Sequence, residues 1–264
     1  MAAAGGGGLA GVGVLVTRPA HQAEGLCRLI EQQGGSARRF PVLEILDPLD
    51  PRPLQAVAQL LDAYDWAVFI SANAVDRALD SILAVRDWPA GTRIAVIGRR
   101  SAAALQRHGL AADLYPEHKF DSEALLALPD MQQVEGKRFV IFRGDGGREL
   151  LAETLRERGA RVDYIEAYRR ARPEADAAPL LAQWRTGAID VVVVNSAESL
   201  SNLVDMLGES GSALLRQTPL VVASPRLVPL TQLLGFRQAP VVADNATDDA
   251  VLRALLRWRD APAQ

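Results

Sequence analysis

The chain has 264 residues, 49% apolar and 23% charged, with a formal net charge of −3. That composition describes a soluble globular protein with an ample core in one large or two small domains, and it offers no global positive field for nucleic acid. Cys27 is the only cysteine, and His21, His108 and His118 are scattered. An internal disulfide framework and a metal site are therefore not expected, and the cysteine usage suits a reducing cytoplasm.

Residues 1–11, MAAAGGGGLAG, are small-residue low complexity without a basic or long apolar region, and are expected to be a disordered leader rather than a signal peptide. Val12–Val16 is an apolar run ending in Thr17-Arg18-Pro19, a buried strand entering a turn. Ala20–Gln33 carries a helical apolar face and stops at Gly34-Gly35. Arg39–Leu46 is extended, Asp47–Pro53 is a proline-rich connection, and Leu54–Ala63 is helical. Trp66–Ile70 is a strand capped by Ser71-Ala72-Asn73, with a helix over Ala74–Leu83. Arg93–Ile97 is another strand, followed by Gly98-Arg99-Arg100-Ser101, a helix to His108 and a stop at Gly109.

Leu114-Tyr115 is a short strand, and Phe120–Glu123 opens a short helix. Val140–Arg170 then holds a buried strand to Phe142, a glycine-rich turn over Arg143–Gly147, a helix over Arg148–Arg158, a stop at Gly159 and a strand ending at Tyr168. After a loop over Pro173–Pro179, helices over Leu180–Thr186, Ser199–Leu207, Leu227–Leu234 and Thr247–Trp258 alternate with strands at Asp190–Val194, Leu220–Ala223 and Val241-Val242. Residues 259–264 form a tail. No apolar run approaches a membrane span. Alternating strands and helices, with strands as continuous apolar runs, call for parallel sheets covered on both faces.

The sequence also repeats. At an offset of 125, Arg18 meets Arg143, Glu24 meets Glu149, Leu26 meets Leu151 and Gly34 meets Gly159. Asp65 meets Asp190, Ser71-Ala72 meets Ser196-Ala197, and Ser122-Glu123 meets Thr247-Asp248. One further residue brings Gly109 to Gly235. Two similar α/β units on a common plan are expected.

Turns after parallel strands are where such sheets bind ligands, because helix N-termini converge there. Here those turns carry Arg18, Ser71, Ala72, Asn73, Gly98, Arg99, Ser101, Arg143, Gly144, Gly146, Gly147, Ser196, Ala197, Glu198, Ser224 and Arg226. Their hydroxyls, glycines and arginines suit a ligand with several carboxylates or phosphates, although serine and asparagine at such places also cap helices. Gly144-Asp145-Gly146 begins a dinucleotide fingerprint, but Glu149 stands where the third glycine belongs and the matching turn at Arg18 has no glycine. Walker and G-x-S-x-G motifs are absent. Tyr168 is either packing on a strand or a reactive phenol.

Taken in order, VLVTRP, FISANAV, IGRRSAAAL, FDSEALLAL, RGDGGRELLAETLRERGARVDYIEAYRR and VVNSAESL resemble the uroporphyrinogen-III synthase family from about Val12 to Trp258. The resemblance implies two parallel-sheet, flavodoxin- or Rossmann-like domains joined by a two-strand linker, with a cleft between them. Domain one would be residues 12–40 with 172–258, domain two 46–162, and the linkers 41–45 and 163–170. It implies a cofactor-free cytoplasmic monomer that cyclises hydroxymethylbilane, a linear tetrapyrrole octacarboxylate, with no nucleic-acid or membrane partner. Tyr168 matches the family's tyrosine near the cleft and would assist loss of the terminal hydroxyl; the turn residues above would hold carboxylates. Ser101 stands where many relatives have threonine, and Ser224-Pro225-Arg226 departs from the G-P-T of some. A non-catalytic bilobal binding protein for an anionic small molecule is the alternative.

Overall fold

A computed structural model describes residues 8–261. The chain divides into two compact units, one holding the chain up to Glu44 and from Ala171 onward, the other Ile45–Arg170. Each is built on one five-stranded sheet, parallel throughout in the first unit and parallel over β7, β6, β4 and β5 in the second.

In the first unit the strand order is β10 (Val241–Val242), β9 (Leu220–Val222), β8 (Val191–Val194), β1 (Gly13–Val16), β2 (Ser36–Arg39). Alternation along the inner strands sends side chains to two separate cores. Val14, Val16, Val191 and Val193 pack against Leu26 and Ile30 of α1 (Ala20–Gln32) and Val251 and Leu255 of α10 (Asp248–Asp260). Leu15, Val192 and Val194 face Trp184 of α7 (Ala178–Arg185) and Leu200 and Leu203 of α8 (Ala197–Gln217). Burial on both faces explains why these strands read as unbroken apolar runs. The predicted helix ending at Leu207 continues beyond a break at Gly208, where φ is 62°.

In the second unit the order is β3 (Glu44–Leu46), β7 (Arg161–Ala171), β6 (Arg138–Gly144), β4 (Trp66–Phe69), β5 (Arg93–Val96), with Leu114 bridged to Ala95. One face packs Trp66, Val68, Phe139 and Ile141 against Leu125 of α5 (Ser122–Leu126) and Leu151 and Leu155 of α6 (Leu150–Glu157). Phe69 and Phe142 stack with ring centroids 4.9 Å apart. The helices α2 (Arg52–Leu60), α3 (Ala72–Leu83) and α4 (Arg99–Arg107) complete the unit, as α9 (Val228–Leu233) does the first.

The 125-residue offset reappears in the pairing registers. Gly13 opposes Ser36 in the first unit and Arg138 opposes Arg161 in the second. Val14 opposes Val191, and Phe139 opposes Trp66. The matched aspartates do the same job in both. Asp190 Oδ2 accepts the Gly13 amide at 2.7 Å and Asp65 Oδ2 the Arg138 amide at 2.8 Å, so each clamps the start of the neighbouring strand.

Three segments of the expected division are seen in more detail. Of the predicted leader, residues 1–7 lie outside those described, but Leu9 is fully buried in the first unit's core and its amide reaches Gln33 O at 2.9 Å. Residues 163–170, expected as one strand of a two-strand linker, form most of β7, paired with β6 as far as Gly144 and Tyr168. Of the predicted tail, Arg259 and Asp260 still belong to α10, and 262–264 are outside the described residues.

Candidate active site

The turns named from sequence all follow strands at the C-terminal edges of the two sheets. What the structure brings into direct contact lies in the second unit: Ser71, Gly144 and Tyr168.

Tyr168 is brought there by a break in the strand. Up to Arg143 and Glu166, β6 and β7 pair residue for residue; then Gly144 pairs with Tyr168, leaving Ala167 as an extra residue. The bulge resets the two-residue alternation, so that Ala167 and Tyr168 are both buried where one would otherwise face out. Tyr168, 6% exposed, lies against the bare backbone of Gly144. A Cβ on Gly144 would stand 2.6 Å from Tyr168 Cζ. The phenol oxygen ends 3.1 Å from Ser71 Oγ, which also accepts the Ala74 amide at 3.1 Å as the N-cap of α3. Ala72 and Asn73 form the half-buried first turn of that helix.

The three glycines of this turn, named together from sequence, stand in two different settings. Gly144 is buried under a tyrosine ring. Gly146 and Gly147 are exposed, with φ of 64° and 122°, and serve the turn geometry that only glycine adopts freely. Asp145 ties the turn to β7, its carboxylate accepting the Arg170 amide at 3.0 Å.

The two repeat-matched arginines, expected to project as carboxylate ligands, are buried and paired with acids of the protein. Arg18 is 3% exposed, gives Nη1 to Asp248 and Nη2 to Ala246 O at 3.0 Å, and its Nε is buried without a partner. Arg143, also buried, gives Nη1 to Glu149 at 2.8 Å and lies 4.4 Å over the Tyr164 ring. Burial pulls the Arg143 guanidinium down, but the hydrogen bond and charge of Glu149 outweigh it and hold it above its usual value, while Arg143 holds Glu149 below the usual carboxylate range. In each case a guanidinium at a strand end reaches a nearby protein acid. A cavity of about 450 Å³ beside Arg143 is lined by Asp50, Glu149 and Glu166 with Tyr164 and Leu49. Its three carboxylates against one already paired arginine do not suit a polycarboxylate.

The remaining turn residues divide by exposure. Ser101 is buried on the inner face of α4. Gly98, the N-cap of α4, has the Phe120 side chain packed on it, and exposed Arg99 lies 5.6 Å from that ring. In the first unit Ser196 caps α8 through the Ser199 amide at 3.1 Å, and exposed Ala197 and Glu198 open the helix, where an acid complements the dipole. Ser224 Oγ accepts the Arg226 amide at 3.3 Å and the Arg226 side chain is exposed. Sequence reasoning missed Glu149, Tyr164 and Asp248 as arginine partners; only Glu149, six residues from Arg143, left a local signal.

A family model described as uroporphyrinogen-III synthase HemD matches residues 24–253. The chain belongs to the uroporphyrinogen-III synthase family. The uroporphyrinogen-III synthase of Salmonella typhimurium is 37% identical over 244 residues, covering 92% of this chain and 99% of that one. That of Escherichia coli is 36% identical over 250 residues, covering 92% and 99%. The fold matches a solved structure of a mutant Thermus thermophilus uroporphyrinogen III synthase, with TM-score 0.62 at 19% identity, covering 93% of this chain and 98% of that one. The Helicobacter pylori uroporphyrinogen-III synthetase structure matches with TM-score 0.58 at 12% identity, covering 94% and 99%. Among the described residues no helix is long and apolar enough to cross a membrane.

Proposed function

We propose that the chain cyclises hydroxymethylbilane to uroporphyrinogen III, in tetrapyrrole biosynthesis, with Tyr168 as the group that assists loss of the substrate hydroxyl. Family membership supports the reaction, a lyase step. The observation that supports Tyr168 is its fixed place: a buried ring seated on Gly144, with its oxygen held at the end of β4 by Ser71.

In this reading the terminal C–O bond of the substrate breaks with its electron pair going to oxygen. The Tyr168 hydroxyl hydrogen-bonds to that oxygen as water forms, and the pyrrole nitrogen supplies electrons and sheds a proton to leave an azafulvene. Attack by the last pyrrole through its already substituted carbon gives a spiro intermediate, which fragments and recloses with that ring inverted. Donation of a hydrogen bond to the departing oxygen is the assistance assigned to Tyr168. Choosing the crowded carbon is a matter of holding a flexible chain in one shape. Within the second unit, the exposed Arg99 and the exposed Gly146 and Gly147 are the turn residues we assign to holding carboxylates.

The test is to supply hydroxymethylbilane, oxidise the products and separate the isomers. The inverted isomer should dominate with the unaltered chain, and Tyr168→Phe should slow its formation by about 10²-fold, the low end for general-acid assistance. Only the non-inverted isomer, at the uncatalysed rate, would overturn the assignment. A Tyr168→Phe variant at full rate would remove Tyr168 from it.

A further inference from the structure

We propose that Ser71 is a positioning residue for Tyr168, fixing which way the phenolic proton points. The proposal rests on the Tyr168 reading above and adds a second hydroxyl to it.

A serine hydroxyl has one proton and two lone pairs. One lone pair of Ser71 Oγ is taken by the Ala74 amide in the first turn of α3, at 3.1 Å. An N–H pointed at that oxygen draws density from it and strengthens the hydroxyl as a donor, as hydrogen bonds in a chain polarise one another. Its neighbour at 3.1 Å is the Tyr168 oxygen. With Ser71 donating, the chain runs Ala74 N–H to Ser71 Oγ, then Ser71 O–H to the phenol oxygen. The one proton of Tyr168 is thereby left to point away from Ser71, free to meet the departing hydroxyl. With Ser71 absent, the phenol rotates about its C–O bond and its proton is shared among orientations.

The internal repeat shows that capping alone does not require this contact. Ser196 holds the same place in the first unit and caps α8 in the same way, through the Ser199 amide at 3.1 Å. Its Oγ then pairs with the Ser199 hydroxyl at 2.9 Å, inside its own helix. At the matching position the second unit has Ala74, which carries no hydroxyl, and the bulge at Ala167 brings a phenol to the serine instead. The cap is common to both units; the phenol contact belongs to the second alone.

The experiment compares Ser71→Ala, Ser71→Thr, Tyr168→Phe and the double variant Ser71→Ala/Tyr168→Phe in initial rates of isomer III formation. All are assayed at a temperature where their circular dichroism superposes on that of the unaltered chain. Ser71→Ala is expected to lower kcat about tenfold, the scale of one neutral hydrogen bond, with KM within about twofold. Ser71→Thr, which keeps both hydroxyl and cap, should restore most of kcat. The double variant should be no slower than Tyr168→Phe alone, since Ser71 acts only through the phenol. A rise in KM at constant kcat in Ser71→Ala, or effects that multiply in the double variant, would overturn the proposal. A slow Tyr168→Phe beside a full-rate Ser71→Ala removes Ser71 and leaves Tyr168 standing; a full-rate Tyr168→Phe removes both.

Discussion

Replacing Gly144 by alanine tests whether the glycine turn supports a tyrosine or cradles a ligand. The added Cβ would lie 2.6 Å from Tyr168 Cζ, 2.7 Å from Cε2 and 3.0 Å from the phenol oxygen. Carbon contacts settle at about 3.5–4.0 Å, so the ring has to move by about 1 Å. That displacement carries the phenol from its 3.1 Å contact with Ser71 to beyond hydrogen-bond reach. Gly144 does not have a positive φ, so alanine meets no backbone penalty there and gains ~0.4–1 kcal/mol through the unfolded chain. Overpacking a buried ring costs about 1–3 kcal/mol. A net loss of about 1 kcal/mol is expected, lowering the melting midpoint of the second unit by a few degrees. A 1 Å misplacement of a catalytic group is worth ~10²-fold in rate, so isomer III formation should fall far more than stability does. In a Tyr168→Ala background the further change Gly144→Ala should cost no stability, because the ring that its Cβ would press on is gone. Wild-type melting and rate in Gly144→Ala would refute the seating of Tyr168 on Gly144.

Three further outcomes follow from contacts away from the phenol. Asp248→Ala leaves the 3%-exposed Arg18 guanidinium buried without its acid and should cost about 3–5 kcal/mol by chemical denaturation; Gly25→Ala, whose Cβ would press on Asp248 Oδ2, should weaken the same pair. Asp65→Ala and Asp190→Ala each strip the acceptor from one strand-opening amide and should each cost about 1–3 kcal/mol, with amide exchange rising at Arg138 in one variant and at Gly13 in the other. Burial, then the hydrogen bond and charge of Asp163, push the Tyr64 phenol up to about 12. The folded state thus holds that proton more tightly than the unfolded chain, whose phenol titrates near pH 10, so this stabilisation is whole below about pH 10 and lost as pH rises towards 12. Tyr64→Phe should lower the melting midpoint at about pH 8 and flatten its fall above about pH 10, and parallel curves would refute the assignment.

Much of the architecture was legible because it rests on local rules. Continuous apolar runs such as Val191–Val194 announced strands buried on both faces, and the stops at Gly34, Gly109, Gly159 and Gly235 have the positive φ that ends a helix. The 125-residue offset foretold registers that the sheets then adopted. The strand β2 was placed too late in the chain, because Ser36–Arg39 is an edge strand with no buried residue and no apolar run to mark it. Leu9 was hidden by the glycines around it, although it is fully buried. In the candidate site Tyr168 could be singled out, but not its setting. The bulge at Ala167 is a change of phase that Glu166-Ala167-Tyr168 does not betray, and Asp248 reaches Arg18 across 230 residues of chain.

The repeat explains why a tyrosine site arises in one unit only. Both sheets share the same strand plan, the same aspartate clamps and the same serine caps, so the framework needs no phenol for stability. What distinguishes the second unit is the tyrosine at 168, where the offset of 125 places Leu43, the absence of a hydroxyl at Ala74 and the absence of a side chain at Gly144. The first supplies the phenol, the second leaves Ser71 free to take it as partner, and the third gives its ring somewhere to lie. Each change is small and none disturbs the sheet pairing before Gly144. A reactive group can therefore be added to a stable βα framework at a single strand end, and the cost falls on local fit around Tyr168 rather than on the fold.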